Sequence, residues 1–180
     1  VVKSSTKLNF YFILNFVVVI ISSFISLKAA LFFSVYIFFL WLYSHKLKRL
    51  LFIGNLFYSL LTITPFFAIL LYYKKIDYII IAYALFLFFI LLLKDFTKDL
   101  KNLKGDFTQN YQTMPVVFGE NFSKSVIILT SLINLILIGN LFINFSEGYM
   151  SIYYISSALA ILVFVVKLFQ SNSNSDYLIL

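Results

Sequence analysis

Three of the seven acidic residues in this 180-residue chain, Asp95, Asp99 and Asp106, are close together near its middle. On a helix that turns about 100° per residue, Asp99 lies about 40° from Asp95, and Asn102 lies about 20° away in the opposite direction. Asp106 would share this stripe if the helix continued that far. Carboxylates on one face repel each other unless a cation lies among them. Because Mg²⁺ takes carboxylate, water and phosphate oxygens, the pattern predicts a magnesium site with a diphosphate partner.

The same stretch is also typical of an ordinary solvated helix. Lysines alternate with the acids at intervals of three and four residues, and apolar side chains form a third face. Surface ion pairs at this spacing stabilise a helix by only about 0.2–0.5 kcal/mol each. The spacing alone therefore leaves the metal site and the solvated helix equally open.

The elements that must hold these acids are strongly apolar. The chain is 62% apolar, 21% aromatic and 12% charged, and its mean hydropathy is +0.99. Too little polar surface remains to cover a globule in water, which excludes a cytosolic globular domain, and 23 Phe with 13 Tyr exclude a disordered chain. The absence of Cys excludes disulfides and thiolate chemistry, and the single His excludes multi-histidine metal sites. Because the net charge of +7 is distributed between apolar runs, it favours a lipid bilayer and not nucleic acid as the partner.

Six apolar runs are long enough, or nearly so, to cross a bilayer as helices. A hydrocarbon core about 30 Å thick needs roughly 20 residues of helix, and the runs lack the alternation of a transmembrane barrel. The prediction is an all-α, polytopic membrane helix bundle. Its spans are 8–27, 29–44, 50–73, 76–93, 125–145 and 149–169, the second being short unless Lys28 extends its stem along the bilayer.

The distribution of lysine and arginine predicts the orientation. Cytoplasmic loops carry the excess of these residues. With the amino end inside, eleven of the 14 lie on the cytoplasmic side, and three, Lys28, Lys74 and Lys75, lie outside. The acidic stretch is therefore predicted on the cytoplasmic face of a multi-pass integral membrane protein, in a bacterial-type inner or plasma membrane.

Both ends of the sequence resemble cut points. The chain begins at Val1 without Met and without a signal-peptide pattern, and the polar stretch 170–176 leads into 177–180, which resembles the start of another span. We therefore expect a single, partial transmembrane domain over residues 1–180, taken from a longer protein.

Two motifs carry a resemblance to a known family. The first is Lys98-Asp99-x-x-Asn102-x-x-Gly105-Asp106, followed by Thr113-Met114-Pro115 and Phe118-Gly119. It resembles the second aspartate-rich motif of the UbiA-type intramembrane prenyltransferases, which runs roughly K-D-x-x-D-x-x-G-D. The second motif, Tyr43-Ser44-His45-Lys46-Leu47-Lys48-Arg49 with Gly54-Asn55, resembles the family's loop between helices four and five. The resemblance covers essentially the whole chain as UbiA-like helices three to eight of nine.

The sequence departs from the family pattern at three places. Asn102 stands where the family usually has a second Asp, and Asn110 replaces the usual Gly. The first aspartate-rich motif, which is similar to N-D-x-x-D, is absent and would lie upstream of Val1. Half of the metal site that the resemblance implies is therefore missing from these residues.

The resemblance implies roles for residues of both motifs. Mg²⁺ is the implied cofactor, with Asp99 and Asp106 as the catalytic metal ligands and Asp95 and Asn102 as weaker ligands. The implied diphosphate-binding residues are Lys46, Lys48, Arg49 and Lys94, although each of them also fits a positively charged membrane anchor. The implied substrate-cavity residues are Tyr43, Ser44 and Asn55.

The implied function is the Mg²⁺-dependent transfer of an isoprenoid chain from a prenyl diphosphate to an acceptor. The acceptor is an aromatic precursor, as in quinone biosynthesis, or a glycerol-phosphate lipid, and residues 1–180 alone are expected to be inactive. The alternative is a non-catalytic polytopic membrane protein or a transporter fragment. A transporter should carry ionisable residues in the middle of its spans, whereas these acids cluster at the cytoplasmic edge, which favours the transferase.

Overall fold

Helices make up almost all of the described structure. The computed structural model describes residues 4–74 and 77–171, and these ranges contain no β-strand. Among the described residues, six helices are long and apolar enough to cross a membrane, which confirms the predicted all-α membrane protein. The helices are α1 (Ser4–Ile25), α2 (Leu27–His45), α3 (Ile53–Tyr72), α4 (Tyr78–Lys101), α5 (Leu103–Thr108), α6 (Met114–Phe145) and α7 (Met150–Gln170).

The first compact unit, Val1–His45, contains α1 and α2, which pack on each other. Only Ser26 separates the two helices, and its hydroxyl accepts a hydrogen bond from the Ala29 N–H at 3.1 Å. This bond satisfies a free N–H in the first turn of α2. The helix therefore begins at Leu27 and includes Lys28, so the second span is longer than the run predicted from the sequence.

The second compact unit, Lys46–Leu180, is built around α4. This helix packs on α3 and on α6, and α6 packs on α7. One apolar cluster contains Phe96 and Leu100, near the end of α4, and a second cluster contains Phe86, nearer its start. Lipid chains are as apolar as these side chains, so close packing, more than removal from water, holds the helices together in a membrane. The packing makes α4 a rigid support for the polar side chains of its last two turns.

The acidic stretch is divided between two helices. The helix α4 ends at Lys101, and Asn102 has φ −93° and ψ 9° before α5 begins at Leu103. An Asn side chain competes for backbone hydrogen bonds and so disfavours the interior of a helix. Asp106 therefore lies on α5. The Asn102 N–H donates to the Lys98 carbonyl oxygen at 3.0 Å, and the Asp106 N–H donates to the Asn102 carbonyl oxygen at 2.9 Å, so the four-residue spacing of helical hydrogen bonds continues across the junction. The stripe that includes Asp106 stays a prediction.

A glycine breaks α6 near its start. Gly119 has φ 84° and ψ 170°, a conformation that L side chains rarely adopt. The part before it follows an extended Thr113, carries Pro115 in its first turn, and buries both Met114 and Pro115. The chain turns at this glycine into the long span that ends at Phe145.

Candidate functional site

The amide of Asn55, in the first turn of α3, joins two carboxylates of α4. Its Nδ2 donates hydrogen bonds to Asp95 Oδ2 and to Asp99 Oδ2, each at 2.8 Å. The three residues are 6%, 5% and 8% exposed. Asp95 and Asp99 therefore lie on one face of α4, as their spacing predicts, and this face is turned toward α3.

Burying two carboxylates beside each other requires compensation. A buried charge costs several kcal/mol unless hydrogen bonds or an opposite charge replace its water shell. Both amide hydrogens of Asn55 are used for this purpose, one on each carboxylate. A neutral amide brings no charge of its own, so any negative charge on the pair is left for a cation to balance.

A close approach of two backbone segments positions Asn55. The chain between α2 and α3 forms a short 3₁₀ turn, Leu47–Arg49, which packs on the first turn of α3. A Cβ atom added to Gly54 would lie 3.0 Å from the Leu47 carbonyl oxygen and 3.2 Å from that of Lys48. Only glycine fits at position 54 without a backbone shift. Gly54 therefore lets the turn Leu47–Arg49, here called the basic turn, pack closely on α3 immediately before Asn55.

Lys98 lies at the exposed rim of the carboxylate pair. Its Nζ is 3.7 Å from Asp95 Oδ1, and its side chain is 54% exposed. The same ammonium lies 5.9 Å from the centre of the Tyr58 ring on α3. An exposed ion pair of this kind contributes at most about 1 kcal/mol, so its main effect is to add positive charge at the rim.

Asp106 on α5 is the third acid, and it is half-buried. Burial raises the pKa of its carboxyl above the ordinary value, whereas the neighbouring Thr113 hydroxyl, Lys98 and Lys48 lower this pKa, and the charge of Asp95 raises it. These influences show that Asp106 is within electrostatic reach of the carboxylate pair on α4 and of the basic turn before α3. The end of α4, α5 and the basic turn thus form one polar region.

Two of the predicted diphosphate-binding residues share an aromatic contact. Lys48 Nζ lies 5.5 Å, and Arg49 Cζ 5.8 Å, from the centre of the Tyr111 ring. Tyr111 is not among the site residues predicted from the sequence. A tyrosine between Asn110 and Gln112, in a polar connection outside the apolar runs, was a signal that could have identified it.

The structure does not bring every predicted residue to the carboxylates. Asn102 ends α4 with an exposed side chain, and Lys46 and Lys94 are exposed as well. In the part of the chain that the structure describes, none of these three side chains forms a hydrogen bond or an ion pair with Asp95, Asp99 or Asp106; Asn102 meets Asp106 only through its backbone carbonyl oxygen, which accepts from the Asp106 N–H at 2.9 Å. Their predicted roles in binding metal or diphosphate stay predictions.

Tyr43 and Ser44, the remaining predicted cavity residues, lie in the last turn of α2 within the first compact unit. Tyr43 is half-buried and Ser44 is exposed. A cavity of about 260 Å³ between α6 and α7 contains neither of them and is lined by Asn121, Lys124, Ser125, Ile128, Leu168 and Phe169. The substrate-cavity role of Tyr43 and Ser44 stays a prediction.

The donor atoms of this polar region fit Mg²⁺ as a partial ligand set. Across residues 4–74 and 77–171, no group of three acidic or histidine side chains converges on one metal position. Mg²⁺ takes only one or two carboxylates from many sites and completes its octahedron with waters and substrate phosphate oxygens. The paired carboxylates of Asp95 and Asp99, with Asp106 nearby, supply the hard oxygen ligands that such a site needs.

Comparison with known proteins gives one family match. The model of the family described as the UbiA prenyltransferase family matches residues 1–177, nearly the whole chain. Searches of curated proteins and of solved structures gave no match. The match includes both motifs, the carboxylates of α4 and α5, and all six membrane-length helices. The chain therefore belongs to the UbiA prenyltransferase family, the intramembrane prenyltransferases.

Proposed function

We propose that the polar region at the end of α4 binds a prenyl diphosphate together with Mg²⁺, and that the protein transfers the isoprenoid chain to an acceptor. The acceptor is an aromatic quinone precursor or a glycerol-phosphate lipid. The observation that carries the proposal is the pair of buried carboxylates, Asp95 and Asp99, held by Asn55 beside a basic turn. A protein that needed only stability would gain little by burying two like charges together.

The carboxylates have a binding role in this proposal. Asp99 and Asp106 are the principal metal ligands, with Asp95 supported on the same amide as Asp99. When bound, Mg²⁺ neutralises charge on the diphosphate oxygens. Asn55 keeps the Asp95 and Asp99 carboxylates facing the same direction, so less reorganisation is needed when the substrate binds.

The basic side chains act on the leaving group. The bond between the allylic carbon and the diphosphate oxygen breaks, and its electron pair leaves with the diphosphate. A ring carbon or a hydroxyl oxygen of the acceptor forms the new bond to the allylic carbon, and the acceptor loses a proton to water. Negative charge grows on the diphosphate in this step, and the fixed charges of Lys48 and Arg49 stabilise that charge.

Enzyme assay of the intact protein tests the proposal. Membranes that contain the longer protein expected from the sequence are incubated with labelled prenyl diphosphate, Mg²⁺ and a panel of aromatic and glycerol-phosphate acceptors. We expect a prenylated product, and Asp99→Ala or Asp106→Ala should reduce its rate of formation at least about 100-fold, the size of effect seen when a charge-stabilising group is lost.

A matched control shows whether activity falls because a site carboxylate is removed or because any carboxylate is removed. Asp77 precedes α4 at its opposite end and is exposed. We expect Asp77→Ala to keep the rate within about twofold, since surface changes away from a site have small effects. Full activity in both Asp99→Ala and Asp106→Ala would refute the assignment of the site.

A second arm uses residues 1–180 alone. We expect negligible turnover, because the resemblance assigns half of the metal site to an N-D-x-x-D cluster that these residues lack. Measurable transfer by residues 1–180 would mean that this cluster is dispensable. No product from any acceptor with the longer protein would favour the non-catalytic alternative.

A further inference from the structure

Tyr111 contacts both cations of the basic turn. It lies in the connection between α5 and α6 and is half-buried. Its ring centre is 5.5 Å from Lys48 Nζ and 5.8 Å from Arg49 Cζ. Both distances are within the range of about 6 Å over which a cation is attracted to an aromatic ring. One ring therefore holds two cations that follow each other in the sequence.

The backbone on both sides of Tyr111 is tied to the site. The Tyr111 N–H donates to the Asp106 carbonyl oxygen at 2.9 Å, and the Gln112 N–H donates to the Arg49 carbonyl oxygen at 3.2 Å. Asn110 has φ 56°, a left-handed conformation that Asn tolerates better than most residues. The ring position is therefore set from the acidic helix on one side and from the basic turn on the other.

Ordering two long basic side chains carries an entropic cost. Lysine and arginine each lose up to about 2 kcal/mol of rotamer freedom when they are fixed. Where such side chains must be ordered by an incoming anion, this cost reduces the affinity. Side chains that already lie against a ring have lost part of their rotamer freedom before the anion binds, so the anion has less entropic cost to offset.

We propose that Tyr111 is a positioning residue that holds Lys48 and Arg49 in place for the diphosphate group of the substrate. Lys48 also acts electrostatically on Asp106, so this cation is within electrostatic reach of an acidic side chain that is proposed to bind the metal. The inference rests on the proposed function, because it takes the diphosphate as the ligand. It assigns Tyr111 no contact with the reacting atoms.

Binding of inorganic pyrophosphate tests this role without any need for turnover. The longer protein expected from the sequence is placed in lipid nanodiscs, and pyrophosphate is titrated by calorimetry at a fixed Mg²⁺ concentration. We expect Tyr111→Leu to raise the Kd about tenfold, because it removes both cation–ring contacts. Tyr111→Phe should keep the Kd within about twofold, since it retains the ring. Tyr149→Leu, a matched change at an exposed tyrosine before α7, should leave the Kd unchanged.

A double variant distinguishes positioning from a general structural role. In a Lys48→Gln/Arg49→Gln background the ring has no cation to hold, so Tyr111→Leu should have no further effect on the Kd. A Kd for the Tyr111→Leu single variant equal to that of the unmodified chain would overturn the inference and leave the proposed function standing. An equal loss with Tyr111→Phe, or in the double background, would also overturn it. No pyrophosphate binding by the unmodified chain would overturn both.

Discussion

The two ends of α4 are joined to neighbouring helices by polar contacts of different kinds. At the end that contains Asp95 and Asp99, here called the acidic end, an amide holds two buried carboxylates. At the other end, the tyrosine end, the hydroxyls of Tyr83 and Tyr154 are hydrogen-bonded to each other, and Tyr78 Oη donates to an amide oxygen of α6 at 3.1 Å. Both arrangements join α4 to other helices, but only the first one buries carboxyl groups.

The difference separates structural contacts from contacts that also prepare a site. Neutral hydroxyl pairs stabilise helix packing and leave no charge behind. A pair of carboxylates held by a neutral amide still attracts a cation, so the acidic end retains a binding capacity that the tyrosine end lacks. Local departures from the most stable arrangement are expected at functional sites.

Cysteine labelling gives the largest expected difference between the two ends. The chain has no Cys, so single cysteines can be introduced without background. Lys104→Cys lies on α5 beside the acidic end, and Glu147→Cys lies in the connection before α7; both positions are exposed. In intact cells a membrane-impermeant maleimide should label only Glu147→Cys, because the excess of positive residues predicts a cytoplasmic acidic end.

Inverted vesicles are the control for this experiment. There the same reagent should label Lys104→Cys and leave Glu147→Cys unlabelled. Labelling of both positions from one side of the membrane would contradict the predicted topology.

Removal of the amide at the acidic end should give the largest loss of stability. Asn55→Leu leaves two buried carboxylates without their shared donor, and we expect the free energy of unfolding in detergent to fall by about 2–3 kcal/mol. Asn134→Leu is the matched control in α6. Asn134 is fully buried, its amide makes one hydrogen bond at 3.3 Å, and its Oδ1 accepts none from the described residues.

The Asn134→Leu variant should be neutral or more stable, because it removes an unsatisfied polar group and leaves no charge unpaired. Denaturant titrations of both variants measure the comparison. Equal losses in the two variants would mean that the acidic end behaves as an ordinary buried amide contact.

Loss of the hydroxyl pair at the tyrosine end should have an intermediate effect. Tyr154→Phe leaves the Tyr83 hydroxyl without this partner, and hydrogen bonds between membrane helices average about 0.6 kcal/mol with a maximum of about 1.7 kcal/mol. We expect a loss of about 1 kcal/mol in the same titration and no change in pyrophosphate affinity. A loss of affinity would contradict the purely structural role of this end.

The smallest effect is expected at Tyr78. Its hydroxyl bonds to Asn140 in an exposed position. Tyr78→Phe should change the free energy of unfolding by no more than about 0.5 kcal/mol, the usual limit for an exposed substitution. A thermal unfolding curve that coincides with that of the unmodified chain would agree with this expectation, whereas a clear downward shift would show that the contact carries more of the packing.

The sequence predicted the spans well because membrane thickness sets their length. Continuous apolar runs located all six long helices, but their ends were less certain. Ser26 caps α2, so this helix starts before the run at 29–44. Asn102 ends α4, so Asp106 lies on a second, short helix. Such capping and termination depend on local hydrogen bonds that a count of apolar residues does not include.

Residue spacing predicted the site only where its residues share one helix, whereas Asn55, Lys48 and Arg49 were selected through the family resemblance. The spacing of Asp95 and Asp99 places them on one face, because helix geometry is fixed. Their partner, Asn55, is 40 residues away from Asp95 in the sequence, and this pairing follows from the packing of α3 on α4. Tyr111 escaped prediction for the same reason, since its contacts with Lys48 and Arg49 cross between two connections.

The break at Gly119 has a consequence for how the protein tolerates change. Other residues adopt its backbone angles only with strain, although a Cβ atom added there would meet no other atom within 4 Å. Even Gly119→Ala would therefore favour helical angles at this position and a straighter α6. Because each helical residue turns the chain by about 100°, Met114 and Pro115 would then point away from their buried positions. One added carbon atom, which would clash with nothing around it, would thus change the direction in which the chain leaves the connection between α5 and α6.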